Sequence, residues 1–430
     1  MPRFPQGFLL GVSTASYQIE GAVAEDGRGQ SIWDTFAHTP GRVKNGDTGD
    51  VACDHYHRWA EDLDLLADLG VDAYRFSIAW PRIQPDGAGP PNPKGLEFYD
   101  RIVDGLLERG IAPMPTLFHW DLPQALEDRG GWLSRETAER FAEYAGHVAT
   151  RLGDRVARWI TLNEPVVHMA QGYAWGTHAP GRTLMLDALP VAHHQLLAHG
   201  LAAAVLKEQG AAEVMITNNC TPVWPASEDP ADLAAAFAYD GFHNGLFTDP
   251  ILTGAYPAFL AEALAPVIRD GDLEVIATPV DALGINYYNP TKIGAPPEGD
   301  PLPFEIREIT GYPTTAFGWP VVPEGLHELL ISFRDRYGPA LPPIYLTENG
   351  CSVEDRPDDT FRIEYLDAHL RSLNQAVEDG VDVRGYFVWS LLDNFEWAEG
   401  YSQRFGLVRV DFETLERTPR DSFRWLRDRG

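Results

Sequence analysis

The 430-residue sequence predicts an α/β protein, a (β/α)₈ barrel of the TIM type, on three observations. Short apolar, β-rich runs recur along the whole chain. Amphipathic helical patterns lie between them. Nearly every run ends in a polar or aromatic cluster. Parallel strands covered on both faces read as near-continuous apolar stretches. Strands alternating with helices imply βαβ units. A barrel gathers the C-terminal ends of its strands, where the chemistry sits, at one mouth.

The runs are residues 8–13 (FLLGVS), 72–80 (DAYRFSIAW), 112–120 (APMPTLFHW), 157–164 (ARWITLNE), 213–219 (EVMITNN), 282–288 (ALGINYY), 343–348 (PIYLTE) and 384–392 (RGYFVWSLL). These supply the eight strands a barrel needs. Between them, Tyr56, Trp59, Leu63 and Leu66 step by three or four, with Gly70 placed to end that helix. Ser134 is placed to cap a helix carrying Phe141, Ala145, Val148 and Leu152. Leu366, Leu370, Leu373 and Val377 repeat the stripe before Gly380. A doubly wound open sheet has the same alternation, but no G-x-G-x-x-G follows the first strand. Two Pro/Gly-rich stretches, 221–230 and 289–320, predict long surface βα loops rather than linkers, because strands resume on the same pattern after each. The expectation is a single catalytic domain over residues 1–430.

The formal charge of −29 argues against nucleic-acid and anionic-membrane partners, whose phosphates it repels. Three scattered cysteines imply no disulfide framework. The apolar run at the N-terminus is too short for a signal h-region and no stretch approaches a membrane span, so a cytoplasmic protein is expected. There is no H-E-x-x-H, no Cys/His cluster and no phosphate loop, and residues 45–50 miss the EF-hand ligand spacing; neither metal nor cofactor is expected. Twelve tryptophans are more than a generic core explains.

The strand ends carry the functional reading. Gln18 follows the first strand, His119-Trp120 end the third and Asn163-Glu164 the fourth. Asn218-Asn219 end the fifth, Asn286 and Tyr288 the sixth, Glu348-Asn349 the seventh and Trp389 the eighth. A lone strand-end glutamate is usually a solvated acid. Two of them in the frames Thr-Leu-Asn-Glu and Leu-Thr-Glu-Asn, on strands across the mouth from each other, can flank one bond. Glycoside cleavage needs such a pair, one carboxyl protonated and one ionised, in environments that push their pKa values apart. Arg75 either keeps one carboxylate charged or forms an internal ion pair that holds the barrel together. Asn163 can donate to a sugar 2-hydroxyl. Trp120, Trp389 and Trp397, beside Gln18, His119 and Glu396, offer a sugar flat apolar faces and hydrogen-bond partners together.

These residues resemble family 1 glycoside hydrolases of the β-glucosidase type. The resemblance rests on segments 9–21 (LLGVSTASYQIEG) and 74–82 (YRFSIAWPR), on Thr161-Leu162-Asn163-Glu164-Pro165, and on Thr347-Glu348-Asn349-Gly350. It extends through Leu392-Asp393-Asn394-Phe395-Glu396-Trp397 and Tyr401-Ser402-Gln403-Arg404-Phe405-Gly406-Leu407. It implies net retention by double displacement, with Glu164 as acid/base, Glu348 as nucleophile and Tyr288 orienting Glu348. It implies that Gln18, His119, Trp120, Asn163, Trp389, Glu396 and Trp397, with Asn286 and Phe405, bind sugar, and that Trp319 is an aglycone platform. The substrates implied are cello-oligosaccharides and aryl or alkyl β-glucosides, with side activity on β-galactosides or β-fucosides and transglycosylation. Glu396 disfavours a 6-phosphosugar, and Glu164 favours O-glycosides over thioglucosides. The pattern departs at Val166, where many members carry Trp two residues beyond the acid/base. A 6-phospho-β-glycosidase and a non-catalytic sugar-binding barrel are the competing readings.

Overall fold

The computed structural model describes residues 4–300, 302–355 and 358–428. Eight strands close a parallel barrel: β1 (Leu9–Ser13), β2 (Ala73–Ser77), β3 (Ala112–Phe118), β4 (Arg158–Asn163), β5 (Glu213–Asn219), β6 (Ala282–Asn286), β7 (Ile344–Asn349) and β8 (Val383–Trp389). Neighbours in sequence are neighbours in space, and β1 closes on β8 with Ser13 opposite Trp389. Each predicted run overlaps one strand, and most runs overshoot it at the C-terminal end; β2 stops at Ser77 before a helical turn at Trp80–Ile83, and β8 stops at Trp389.

Helices α1 (His55–Leu69), α2 (Pro93–Glu108), α3 (Arg135–Leu152), α4 (Leu189–Glu208), α5 (Leu246–Thr253), α6 (Pro323–Tyr337), α7 (Thr360–Glu378) and α8 (Asp421–Arg427) complete the units. Gly70 ends α1 in the left-handed region, as its lack of a Cβ permits. Ser134 does occupy the N-cap position of α3, but its side chain makes no capping bond. The 3₁₀ turn Gly131–Leu133 runs straight into the helix, and the Gly131 carbonyl takes both the Ser134 N–H and the Thr137 hydroxyl instead.

The two Pro/Gly-rich stretches are more ordered than expected. Val223–Pro225, Thr291–Gly294 and Glu305–Arg307 form a three-stranded sheet, so the βα loops after β5 and β6 pair with each other at the barrel rim. Three-residue strands carry no readable period, which is why the sequence presented them as irregular loop.

The barrel interior has two storeys. A plug of Ala73, Met114, Ile160, Met215, Ala282, Tyr345 and Phe387, one from each of β2 to β8, is sealed by Leu9 of β1. Side chains alternate along a strand, so two residues beyond the plug the inward positions become Arg75, Thr116, Thr217 and Thr347, joined by Ser13 two residues beyond Gly11, a polar floor above an apolar plug. Pairing register slips on both glutamate strands, between Ile160 and Asn163 of β4 and between Leu346 and Glu348 of β7. Such irregularities re-aim side chains at barrel rims.

Gly11 makes the plug possible. A Cβ there would meet the Phe387 ring at 2.4 Å and the Ala73 carbonyl oxygen at 2.8 Å. Gly11→Ala is therefore expected to overpack the lumen and destabilise the fold by about 1–3 kcal/mol. Urea unfolding of the variant measures this, and an unchanged midpoint contradicts it.

Candidate active site

A cavity of about 440 Å³ opens at the C-terminal ends of the strands. Glu164, Glu348, Tyr288, His119, Trp120, Trp319, Trp389, Glu396, Trp397 and Phe405 all line it. Arg75, Asn163, Asn286 and Gln18 lie behind that lining, each almost wholly buried and bonded to the residues in front.

Glu348 ends β7 and is only 3% exposed. Its Oε1 accepts from Arg75 Nη1 at 2.5 Å, and its Oε2 accepts from the Tyr288 hydroxyl at 2.8 Å. A guanidinium and a hydroxyl donating to the two oxygens favour the carboxylate anion. Both readings of Arg75 are satisfied by one geometry, because its Nη2 also donates to Asn163 Oδ1 at 2.5 Å and so ties β2 to β4 and β7. Tyr288 lies two residues beyond β6. Its neighbour Tyr287 turns away from the cavity and donates to the Val322 carbonyl.

Glu164 follows β4 and caps the short helical turn Pro165–Val167 in a left-handed conformation, φ 45° and ψ 56°. Trp120 and Trp397 also carry positive φ, at 74° and 50°. Three bulky residues in a region that disfavours them, all lining one cavity, are strain concentrated at a functional site. Glu164 Oε1 accepts from Asn286 Nδ2 at 2.8 Å and Asn219 Nδ2 at 3.0 Å. These neutral amides hold it less strongly than a guanidinium would. Burial first, and then the charge of Glu348, push its carboxyl up to about 7 against the pull of the two amides and Arg75. The two glutamates thus sit in opposed environments within one cavity, which is the condition for dividing acid and base roles.

Around Glu396 the polar groups converge. Gln18 Nε2 donates to Asn394 Oδ1, to the Phe395 carbonyl and, at 3.3 Å, to Glu396 Oε2. Burial and then Glu348 raise the Glu396 carboxyl to about 8. Asn163 Nδ2 donates to His119 Nε2 at 3.0 Å, which assigns the ring proton to Nδ1. Burial and Arg75 hold His119 well below its usual pKa, so it is neutral. The His119 ring lies near-parallel to Trp389 and Trp397, 5.9 Å from each. Gln18 Oε1 and His119 Nδ1 are buried without a protein partner. Four of the tryptophans line the cavity. The cavity does not account for the whole tryptophan content, because Trp33, Trp80, Trp132 and Trp159 are fully buried packing residues.

Phe317 stacks on Trp319 at 4.3 Å, and Tyr288 and Phe405 pack against the same indole. Val166 is 2% exposed and is not among the lining residues; Val167 is.

The family model for glycosyl hydrolase family 1 matches residues 1–429. The chain belongs to that family. It is 47% identical to beta-glucosidase A of Thermotoga maritima, over 98% of this chain and 96% of that one. It is also 47% identical to a bifunctional beta-D-glucosidase/beta-D-fucosidase of Bifidobacterium breve, over 99% of this chain and 97% of that one. The fold superposes on a solved family 1 β-glucosidase from Thermotoga maritima in complex with isofagomine lactam, with a TM-score of 0.95 and 46% identity over 99% of this chain and 98% of that one. Family membership makes the chain a retaining glycosidase.

The sequence missed several residues of this family 1 site. Asn219 was visible as a strand-end amide, but nothing marked it as a partner of Glu164. Phe317 precedes Trp319 by two in a loop with no period. Gln171, Thr177 and His178 line the cavity from the βα loop after β4, where His168–Ala174 is a π-helical turn. Such turns have no sequence signature, although they favour functional positions. Among the described residues no group of His, Cys, Asp and Glu could hold a metal ion, and no helix is long and apolar enough to cross a membrane. The three cysteines are buried and unpaired.

Proposed function

We propose that this chain is a β-glucosidase acting by double displacement, with Glu348 as nucleophile and Glu164 as acid/base. The observation that carries the reading is the pair of opposed environments, Glu348 on Arg75 and Tyr288, Glu164 on two amides and raised to about 7. A Glu348 oxygen attacks the anomeric carbon as the glycosidic C–O bond breaks, and the Glu164 proton passes to the leaving oxygen. Water then attacks the same carbon, the Glu164 carboxylate takes its proton, and the C–O bond to Glu348 breaks. An alcohol acceptor in place of water gives transglycosylation.

Gln18, His119 and Glu396, with Trp120, Trp389 and Trp397, would hold the non-reducing sugar. Gln18 Oε1 and His119 Nδ1 are the buried polar atoms left for its hydroxyls, and a Glu396 carboxyl raised to about 8 can donate as well as accept. Asn163 would meet the 2-hydroxyl. Trp319 with Phe317 and Val167 would take the aglycone, so cello-oligosaccharides and aryl or alkyl β-glucosides are the substrate class. The names of the relatives support glucosyl specificity, and that of the Bifidobacterium protein supports a fucosyl side activity.

The phosphorylated alternative is weakened differently from the sequence argument. Glu396, raised to about 8, repels a phosphate less than a full carboxylate would. The stronger objection is the lining itself, which includes Glu164, Glu348, Glu396 and Glu399 but neither Lys nor Arg among the described residues. A non-catalytic binder has no use for two glutamates in one cavity, one on a guanidinium and one on neutral amides. The reading takes residues 1–430 as one catalytic domain. Its cytoplasmic setting rests on the sequence pattern and on cysteines left as free thiols. A panel of p-nitrophenyl β-glucoside, β-galactoside, β-fucoside and 6-phospho-β-glucoside, with NMR of the first-formed anomer, tests it. Fastest turnover of the glucoside to the β-anomer is expected; preference for the phosphosugar or a first-formed α-anomer overturns it.

A further inference from the structure

Behind Glu164 runs a chain of polar groups that the double-displacement scheme does not use. Asn219 Nδ2 donates to Glu164 Oε1 at 3.0 Å, while its Oδ1 lies 3.0 Å from His243 Nε2. His243 Nδ1 in turn lies 3.3 Å from the Tyr239 hydroxyl. The Tyr239 ring stacks near-parallel to the imidazole, its centroid 5.4 Å away. Phe304 packs edge-on against the other side of Tyr239. His243 is carried on a π-helical turn, Gly241–Gly245, between the helix Pro230–Asp240 and α5.

An asparagine amide can face a carboxyl with either end, and only the N–H₂ end is useful to an acid/base that must ionise. Glu164 alone does not fix the choice, because its protonated form could donate to a carbonyl. A donor at His243 Nε2 fixes it. The Tyr239 hydroxyl lies 3.3 Å from His243 Nδ1 and can donate its proton there. That leaves the proton of a neutral imidazole on Nε2, where it can bond only the carbonyl oxygen of Asn219. The amide is thereby turned with its N–H₂ group toward Glu164. Desolvation lowers His243 to about 4, which keeps the ring neutral across the working pH range.

We propose that His243 is a positioning residue for the reaction: by accepting from Tyr239 and donating to Asn219 it locks the asparagine amide as a donor to Glu164 and so sets the pH range over which Glu164 can serve as both acid and base. This rests on the reading of Glu164 as the acid/base. An N–H donor stabilises the carboxylate. Losing its orientation therefore favours the protonated acid, moves the alkaline limb of kcat/KM upward, and slows the water step, which needs the carboxylate.

The other groups facing Glu164 are Glu348, Arg75 and Asn286, on β7, β2 and β6, with Tyr288 and Glu396. Those facing His243 are Tyr239 and Asp240, and Asp240 is held by Arg336 and Asn244. Of these, only Tyr239 touches the imidazole, and it stays neutral when the ring is replaced, its hydroxyl pushed up by burial.

The test is the pH profile of aryl β-glucoside hydrolysis by His243→Phe, His243→Gln, Asn219→Ala and the Phe/Ala double variant, with Glu164→Gln as reference. His243→Phe keeps a flat ring but removes the donor, and its alkaline limb should move up by roughly 0.5–1 pH unit, a three- to tenfold change in proton affinity. His243→Gln, which retains an N–H donor, should restore most of the wild-type profile. In the Asn219→Ala background the Phe substitution should move the limb no further, since the effect passes through that amide. A shift of equal size in the Asn219→Ala background, or an unmoved limb in His243→Phe, overturns the proposal. Should His243→Phe fail to fold, a wild-type profile in Asn219→Ala alone overturns it equally. An alkaline limb that survives in Glu164→Gln would instead remove the acid/base assignment on which the proposal stands.

Discussion

Glu348→Ala is expected to lose hydrolysis of aryl β-glucosides by roughly 10⁴-fold or more, because no other group can attack the anomeric carbon from that side. Added azide should restore turnover and give the α-glycosyl azide. The small anion enters the space of the lost carboxylate and displaces the leaving group directly, with a single inversion. The substitution also leaves Arg75, 1% exposed, without its anionic partner. Breaking a buried ion pair in this way costs about 3–5 kcal/mol. A thermal melt should show this loss, and azide should recover part of it by returning a negative charge beside the guanidinium. Turnover near the wild-type rate without azide, or a β-glycosyl azide product, would remove the nucleophile assignment.

The second large effect separates substrates rather than abolishing all of them. Glu164→Ala should slow alkyl β-glucosides by roughly 10²–10⁴-fold, the usual contribution of a general acid. Bond cleavage in a 2,4-dinitrophenyl β-glucoside should be nearly spared, because that leaving oxygen needs no proton. The wild-type enzyme should also lose kcat/KM with rising pH around 7, where the raised Glu164 carboxyl gives up its proton. The sign follows from the chemistry: attack on the substrate needs the protonated acid, which is the form lost as pH rises. In Glu164→Ala this limb should vanish. Equal losses on alkyl and activated aryl substrates, or a persisting limb, would take the acid role away from Glu164.

The sequence by itself determined the barrel and most of the candidate site. Eight apolar runs alternating with helical stripes bury both faces in a parallel sheet jacketed by helices, the missing G-x-G-x-x-G favours the closed barrel over the doubly wound sheet, and closure carries every strand end to one mouth. Glu164 and Glu348, with Trp120, Trp389, Trp397 and Glu396 at or beyond strand ends, follow from that topology and from their local frames, whereas Trp319 came with the family resemblance. Local chemistry acts over a few residues, and there it was legible.

The tertiary structure alone decided what depends on contacts between distant segments. The register slips on β4 and β7, the Arg75 bridge between Glu348 and Asn163, and the pairing of the two rim loops all join groups far apart in sequence. So does the line from Tyr239 through His243 and Asn219 to Glu164. Val166 shows the same limit, since a single step along the chain decides whether a valine faces the sugar or the core. Side-chain direction at an irregular strand end, and the desolvation that raises Glu164, are properties of the packed interior. No periodicity in the chain encodes them.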